Sequence, residues 1–412
     1  MNQSKEKLIY KLFKIKKSKK KSNFNFPLLR DGYDEKDLVE ATKTLISRNL
    51  TMGKKTEKFE KFFAKKIGVK YSLMVNSGSS ANLLAFFCLT NVLKKNKVKK
   101  GSECIIPGVC WSTTLWPILQ SGLKPVFVDV DINNFCIDYL SLIKKVTKKT
   151  KVIILVNVLG NCPELDKIKK FAKKKKIYLI EDNCESLGSK YNNKFLGTHG
   201  DFGTFSFYYS HQVTAGEGGM IVCKSKNDYK ILKSLRAHGW DRELKKQKIK
   251  GFNFINEGFN LRPLEISASI GMSQFKRLDT MMKTRSKNRE MIIKNLRRSK
   301  NWNNQFNFFN PTKNLKPSWF GLPLMINKKK KFDKKNYLEF LNKNNIETRP
   351  IISGNFTNQP AVKIHNIKFN KKELMNSQKI EEKGFFIGLP TKLLNLNEIN
   401  KLTSYLLSVD NF

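Results

Sequence analysis

From about residue 55 the chain alternates between two hydrophobic periods. Residues 57–68, EKFEKFFAKKIG, carry apolar side chains three and four apart and predict an amphipathic helix. YSLMVNSGSSANLLAFFCL, residues 71–89, predicts a strand, a small-residue turn and a helix. SECIIPGV (102–109), KPVFVDVD (124–131), KVIILVNVLGN (151–161) and KIYLIEDN (176–183) are short, β-branched apolar runs that predict strands. Polar or helical segments separate them, LDKIKKFAKKKK (165–176) being the clearest helix, and FGTFSFYYS (202–210) and GGMIVCKS (218–225) predict further strands. Strand and helix in alternation imply an α/β fold with a mostly parallel sheet covered by helices. Ligands of such sheets bind at the carboxyl ends of the strands.

Residues 262–298 predict one or two long helices that bridge to a second domain. Beyond about residue 300, SWFGLPLMI, a lysine-rich helix, IETRPIISGNF and a closing helix near 396–408 make a small α+β domain. The expected organisation is a basic extension over 1–24, a large cofactor-binding domain over 25–275, and a bridging helix with the small domain over 276–412. In the extension, Leu8, Ile9, Leu12 and Phe13 fit one face of a short helix, but a solvated tail is the preferred reading and no function is assigned to it.

Composition changes this picture little. Lysine and arginine number 79 against 34 acidic residues, a formal net charge of +45. That balance normally points to nucleic acid, but only 11 of the basic residues are arginine and the lysines run along the whole chain. The charge therefore reads as compositional drift that helps attract anionic substrates, with no nucleic-acid partner. Seven cysteines without a CxxC pair predict a reduced, cytoplasmic protein. Neither a signal peptide nor a membrane-spanning run is expected.

Several strand ends carry candidate chemistry. NSGSSAN (76–82) sets Gly78 and Ser79 at a strand-to-helix turn, where free amides suit a phosphate or simply make the turn. In PGVCWSTTLWP (107–117), Trp111 is either a flat platform for an aromatic ring or a core residue. EDNCES (181–186) closes a strand with Asp182, suited to pair with a protonated pyridine nitrogen, and with Glu185. Ser206 and His211 follow, the latter just before the glycine-rich GEGG at 216–219. A histidine here is either a satisfied core residue or an acid–base group working near neutrality.

The order SGSSAN, PxxxWSTT, EDNCES, FSF…GEGG and GFNLRPLE resembles the sugar aminotransferase family called DegT/DnrJ/EryC1/StrS, over roughly residues 27 to 408. The resemblance implies the fold of type I pyridoxal-phosphate (PLP) transferases, like aspartate aminotransferase. In that family a lysine that holds the cofactor covalently occupies the place of His211. Histidine there, with RAHGW (236–240), NLRPLE (260–265), SWFG (318–321) and RPIISGNF (349–356), resembles the branch of 3-dehydratases that use pyridoxamine phosphate (PMP).

By position, the resemblance assigns Trp111 to ring stacking, Asp182 to the pyridine nitrogen and Ser206, with Gly78 and Ser79, to the phosphate. His211 becomes the catalytic base, and Glu185 lies near the ring hydroxyl and the substrate. Asn260 reaches the phosphate, and His238 the active site, of a neighbouring subunit, so a homodimer is implied. Many members of the branch carry two adjacent histidines where this chain has His211 and Gln212. No cysteine follows Cys223, which excludes a thiolate-held iron–sulfur cluster in that region, and no metal is expected. The implied activity removes the C3 oxygen of a nucleotide-linked 4-keto-6-deoxyhexose, GDP-4-keto-6-deoxymannose first, with L-glutamate recharging the cofactor. A CDP- or other nucleotide-linked substrate, a lysine-free aminotransferase and a non-catalytic sugar-nucleotide-binding homologue are the alternatives.

Overall fold

The computed structural model describes residues 25–30, 32–244, 251–327 and 332–412, together with Lys7, Leu8 and Lys11. Apart from those three, the basic extension read over 1–24, with Ile9, Leu12 and Phe13, lies outside the described residues. Helix α1 spans Glu35–Ile46 and α2 Lys54–Ile67. Helix α2 begins three residues before the predicted start because the Glu265 carboxylate accepts from the amides of Gly53, Lys55 and Thr56 at 2.9, 2.7 and 2.8 Å. An acid 210 residues downstream supplies the cap that the local sequence lacks. Phe59, Phe63 and Ile67 form the buried face of α2.

Strand β1 (Tyr71–Val75) leads into α3 (Gly78–Thr90). The next units are β2 (Glu103–Pro107), α4 (Ser112–Gln120), β3 (Lys124–Val128), α5 (Tyr139–Lys145), β4 (Thr150–Val156), α6 (Leu165–Lys175) and β5 (Tyr178–Asp182). A short hairpin, β6 (Lys190–Tyr191) and β7 (Lys194–Phe195), precedes β8 (Phe202–Ser206), β9 (Gly219–Cys223) and α7 (Lys226–Arg236). The seven-stranded sheet has the order β1-β9-β8-β5-β4-β2-β3. Strand β9 is antiparallel to both β1 and β8, while β8, β5, β4, β2 and β3 pair in parallel, so only β9 runs against the rest.

Apolar runs without alternation follow from burial on both faces. Helix α3 is buried nearly all round, through Leu84, Ala85, Phe86, Cys88 and Leu89, which fits its almost uniformly apolar sequence. Helix α6 buries Leu165, Ile168 and Ala172 and turns its lysines to water.

The stretch predicted as one or two long helices is two: α8 (Glu265–Lys276) and α9 (Leu278–Arg298). They break at Arg277, whose guanidinium reaches Asp34 and Asp37 at 2.8 and 2.5 Å. The small α+β domain then adds β10 (Phe306–Phe308), β12 (Gly321–Ile326), α10 (Lys334–Lys343), β13 (Thr348–Arg349), α11 (Pro360–Ile364), α12 (Met375–Lys383), β14 (Gly384–Gly388) and α13 (Leu396–Leu407), while β11 (Leu315–Lys316) returns to pair with β6 of the hairpin. Its four-stranded sheet, β10-β12-β14-β13, is antiparallel throughout. Its core contains Leu322, Leu324, Tyr337, Phe385 and Leu402, and also Phe26 from the start of the chain. Phe26 bridges to Ile346 and donates its amide to the Asn345 carbonyl at 3.0 Å. Phe320, Ile351, Phe356 and Phe386 instead join the main core, so the two domains meet over apolar side chains beside the ends of the parallel strands. No helix among the described residues is long and apolar enough to cross a membrane.

Candidate active site

Strands β1, β2, β5 and β8 end on one side of the sheet, and there a cavity of about 780 Å³ opens toward the small domain. Its lining includes Gly78, Ser79, Trp111, Asp182, Glu185, Ser206 and His211, residues spread over 134 positions of sequence. Phe320, Arg349 and Phe356 close it from the small domain.

Asp182 sits at the last position of β5 and is 5% exposed. Its Oδ2 accepts from Asn82 Nδ2 at 2.8 Å and from Thr114 Oγ1 at 2.7 Å. Asn82 is itself held by Thr204 Oγ1, which donates to its Oδ1 at 2.6 Å. These bonds fix the plane of the carboxylate. Asn82 lies one helical turn beyond Gly78 and Thr114 three residues beyond Trp111. Neither was singled out from the sequence, although both belong to the small-polar runs that carry the named residues.

At the start of α3, Ser77 Oγ accepts from the Ser80 amide at 3.1 Å. The preceding amides, of Gly78 and Ser79, have no carbonyl one turn back, as at any helix start. Gly78 must lack a side chain: a Cβ there would lie 2.6 Å from Ser206 Cβ and 2.9 Å from Cys184 Sγ. Gly219 is under the same constraint, because its Cβ would meet the Ser77 carbonyl oxygen at 2.2 Å. The two glycines let α3 and the β8–β9 turn close on one another, which brings Ser206 beside the helix N-terminus. That concavity of amides and hydroxyls has the chemistry of a phosphate cradle.

Trp111, the N-cap of α4, leaves 54% of its surface exposed at the cavity. An indole so exposed is available as a stacking face.

His211 does not lie in a strand, because β8 stops at Ser206 and the chain turns. The His211 amide donates to the Tyr208 carbonyl at 3.0 Å. The ring packs edge-on between Tyr208 and Phe320, centroids 5.8 and 5.2 Å away. Burial is the largest influence on it and pushes its pKa down to about 4, with the charge of Arg285 acting in the same direction. At neutral pH the imidazole is therefore uncharged. Glu185 is displaced the other way, to about 8, chiefly by burial and further by the charge of Asp182, against a hydrogen bond of 3.3 Å from the Leu159 amide. Two groups that titrate on opposite sides of neutrality face one cavity, a common signature of acid–base chemistry.

Gln212 points away from the cavity. It is 3% exposed, and its amide nitrogen donates to the carbonyls of Glu185 and Ser318. His238 and Asn260 are not brought to the cavity of their own chain. Both are exposed and lie close together through a bridge between Ala237 and Asn260. Trp319, in the SWFG segment, is buried in the small-domain core beneath the Arg289 guanidinium, 4.2 Å from its ring centre. Arg349 lines the cavity rim and pairs with Glu347 at 2.9 Å.

Comparison with known proteins places this geometry. The chain is 40% identical to the GDP-4-keto-6-deoxy-D-mannose 3-dehydratase of Escherichia coli over 376 residues, 88% of this chain and 95% of that protein. It is 38% identical to the enzyme of the same name from Yersinia pseudotuberculosis, over 90% and 95% of the two chains. The solved structure of the Escherichia coli enzyme with bound hydrated PLP superposes with a TM-score of 0.85 at 39% identity, covering 93% of this chain and 99% of that one. Its architecture, a mostly parallel sheet with a small α+β domain, is the type I fold of PLP-dependent transferases. The model of the DegT/DnrJ/EryC1/StrS aminotransferase family matches residues 32–403, and the chain belongs to that family.

Proposed function

We propose that this protein is a PMP-dependent 3-dehydratase of a nucleotide-linked 4-keto-6-deoxyhexose, GDP-4-keto-6-deoxymannose in the first instance, with L-glutamate regenerating the cofactor. The observation that carries the reading is an uncharged imidazole, His211, facing the cavity beside Asp182, where family members that bind their cofactor covalently have lysine. The reading draws on relatives named as GDP-4-keto-6-deoxymannose 3-dehydratases, one of them solved with a trapped PLP–glutamate geminal diamine. It equally draws on a solved His-to-Asn variant of that enzyme with bound GDP-perosamine.

The residues present fit the cofactor. The cradle of Gly78, Ser79 and Ser206 would hold its phosphate, Trp111 would cover one ring face, and Asp182, braced by Asn82 and Thr114, would meet the pyridine nitrogen. Bound PMP supplies an amine that condenses with the sugar's C4 ketone and a ring that accepts electrons. Asp182 would keep the ring nitrogen protonated, and His211 would be placed to move a proton between the cofactor's C4′ carbon and the departing C3 hydroxyl. Glu185, protonated at neutral pH, donates a hydrogen bond to the ring hydroxyl or the substrate. Phe320 and Tyr208 hold the imidazole plane and keep water from its buried edge. Arg349 at the rim offers positive charge to the diphosphate.

We assign residues 25–275 to the cofactor-binding domain and 276–412 to the bridging helix and small domain. We also infer a homodimer, in which His238 and Asn260 serve the partner's site. The exposure of both, away from their own cavity, supports this. Seven free cysteines suit the reducing cytoplasm as its place of action.

Incubation with PLP, glutamate and GDP-4-keto-6-deoxymannose, with the CDP-linked glucose analogue in parallel, tests the activity by mass spectrometry of the product. Loss of the C3 oxygen with the ketone retained is expected. An amino sugar would mean transamination and overturn the reading.

A further inference from the structure

The turn after β8 carries Gln212 immediately after His211, and Gln212 is 3% exposed. Its Nε2 donates to the Glu185 carbonyl and, at 3.3 Å, to the Ser318 carbonyl. Its Oε1 has no hydrogen-bond partner among the described residues. An unpaired buried amide oxygen is costly, so the amide's orientation is dictated by the two carbonyls, which only a donor can satisfy.

The segments that own those carbonyls are joined a second time, through Leu159. The Leu159 amide donates to Glu185 Oε2 at 3.3 Å, and the Leu159 carbonyl accepts from the Phe320 amide at 3.2 Å. Leu159 has a φ of 50°, a left-handed conformation that a leucine side chain disfavours. Gly160 beside it must lack a side chain, because a Cβ would lie 2.5 Å from the Ser318 carbonyl oxygen. Ser189 completes the join: its Oγ accepts from the Ser318 amide at 2.8 Å and donates to the Gly160 carbonyl at 2.7 Å. A disfavoured backbone and a close approach are thus tolerated where the Glu185 segment meets Ser318 and Phe320. His211 belongs to the same assembly, since its ring packs edge-on against Phe320 and it lines the cavity with Glu185.

We propose that Gln212 is a positioning residue for the acid–base pair, its amide clasping the Glu185 and Ser318 backbones so that Glu185 and the Phe320 wall stay fixed about His211. The inference rests on the reading of His211 and Glu185 as the groups that move and hold protons. The constraint passes through short paths: Gln212 adjoins His211, bonds the main chain of Glu185, and holds the segment that reaches Phe320 two residues on. Proton transfer needs groups within hydrogen-bond reach, so a small displacement costs rate before it costs binding. Trp111, Asp182 and Ser206, the residues that fit the cofactor, make no hydrogen bond to Gln212 among the described residues. In the branch this chain resembles, a second histidine often stands at this place. A neutral imidazole offers one N–H and can hold one of the two carbonyls, whereas the glutamine amide holds both.

Hydrogen–deuterium exchange on the cofactor-free protein reads the clasp, and steady-state kinetics reads its consequence. Gln212→Leu and Gln212→Met remove both donors at similar volume. Each is expected to speed exchange of the Leu159 and Phe320 amides at least about tenfold, while the amides of β4 and β5 keep their protection. With cofactor bound, kcat should fall about 10- to 100-fold and KM for the nucleotide sugar stay within about twofold. Gln212→His, with one donor, should recover part of both losses. Unchanged exchange in both apolar variants overturns the proposal, as does faster local exchange with kcat intact, or a histidine variant no better than leucine. Loss of protection across the whole sheet, or failure of both apolar variants to fold, also overturns it, by making Gln212 a general packing element. Local loosening in a protein whose wild type performs no dehydration would sink the functional reading and leave the clasp standing.

Discussion

With His211 as the proposed base and Glu185 as the proposed acid, their opposed displacements set the expected pH dependence of the free enzyme. His211 must be uncharged to accept a proton, and with a pKa of about 4 it meets that condition above about pH 5. Glu185 must be protonated to donate, and with a pKa of about 8 it does so below that pH. The expected profile of kcat/KM is a bell, since that quantity reports the acid and base of the free enzyme. At pH 7 Glu185 is about 90% protonated and at pH 9 about 9%, so the basic limb costs about tenfold between those values. Glu185→Gln keeps the size and a hydrogen-bond donor but cannot ionise. It should flatten the basic limb while leaving the acid limb in place. The assay is initial-rate product formation by mass spectrometry from pH 3 to 9.5, in buffers of constant ionic strength. A basic limb that survives unchanged in the glutamine variant would refute the assignment, because the titrating group would then be something other than Glu185.

His211→Asn should keep the cofactor and lose roughly 100- to 10,000-fold in elimination rate, the usual worth of a positioned acid–base, as single-turnover assays would show. His211→Lys should acquire PLP that borohydride fixes to the protein, detected as an added mass. Absence of the adduct would argue against the geometry at the end of β8. Gly78→Ala forces a methyl group to 2.6 Å from Ser206 Cβ. It should therefore weaken PLP binding in a spectroscopic titration and lower stability by about 1–3 kcal/mol. If active sites are shared across a dimer, mixing His211→Asn and His238→Ala chains should restore about one quarter of wild-type activity, since half the random dimers carry one intact site. No recovery would count against the shared site.

Much of the large domain follows from local chemistry. Unbroken β-branched runs separated by amphipathic helices admit few arrangements other than a parallel sheet, and small or acidic residues at strand ends mark where such a sheet binds ligands. The resemblance to the sugar aminotransferase family then joins Gly78, Asp182, Ser206 and His211 into one expected constellation before any coordinates are known. Other features depend on which surfaces meet. Trp319 and Phe320 are adjacent and both aromatic, yet one faces the small-domain core and the other the cavity, a choice made by the pairing of β12 with β14. The start of α2 depends on Glu265, and Phe26 finds its place against Ile346, 320 residues away. The pKa values of His211 and Glu185 are set by desolvation, a property of everything packed around them and of no residue type. Arg285 on α9, 1% exposed, has no sequence signal at all, because an arginine in a polar helix is ordinarily solvated. Only tertiary packing puts it in the interior. The sequence by itself determined most of the elements and the candidates for the reacting groups. The tertiary structure decided their charge states and neighbours, because electrostatic energies depend on distance and burial, which contacts between distant segments create.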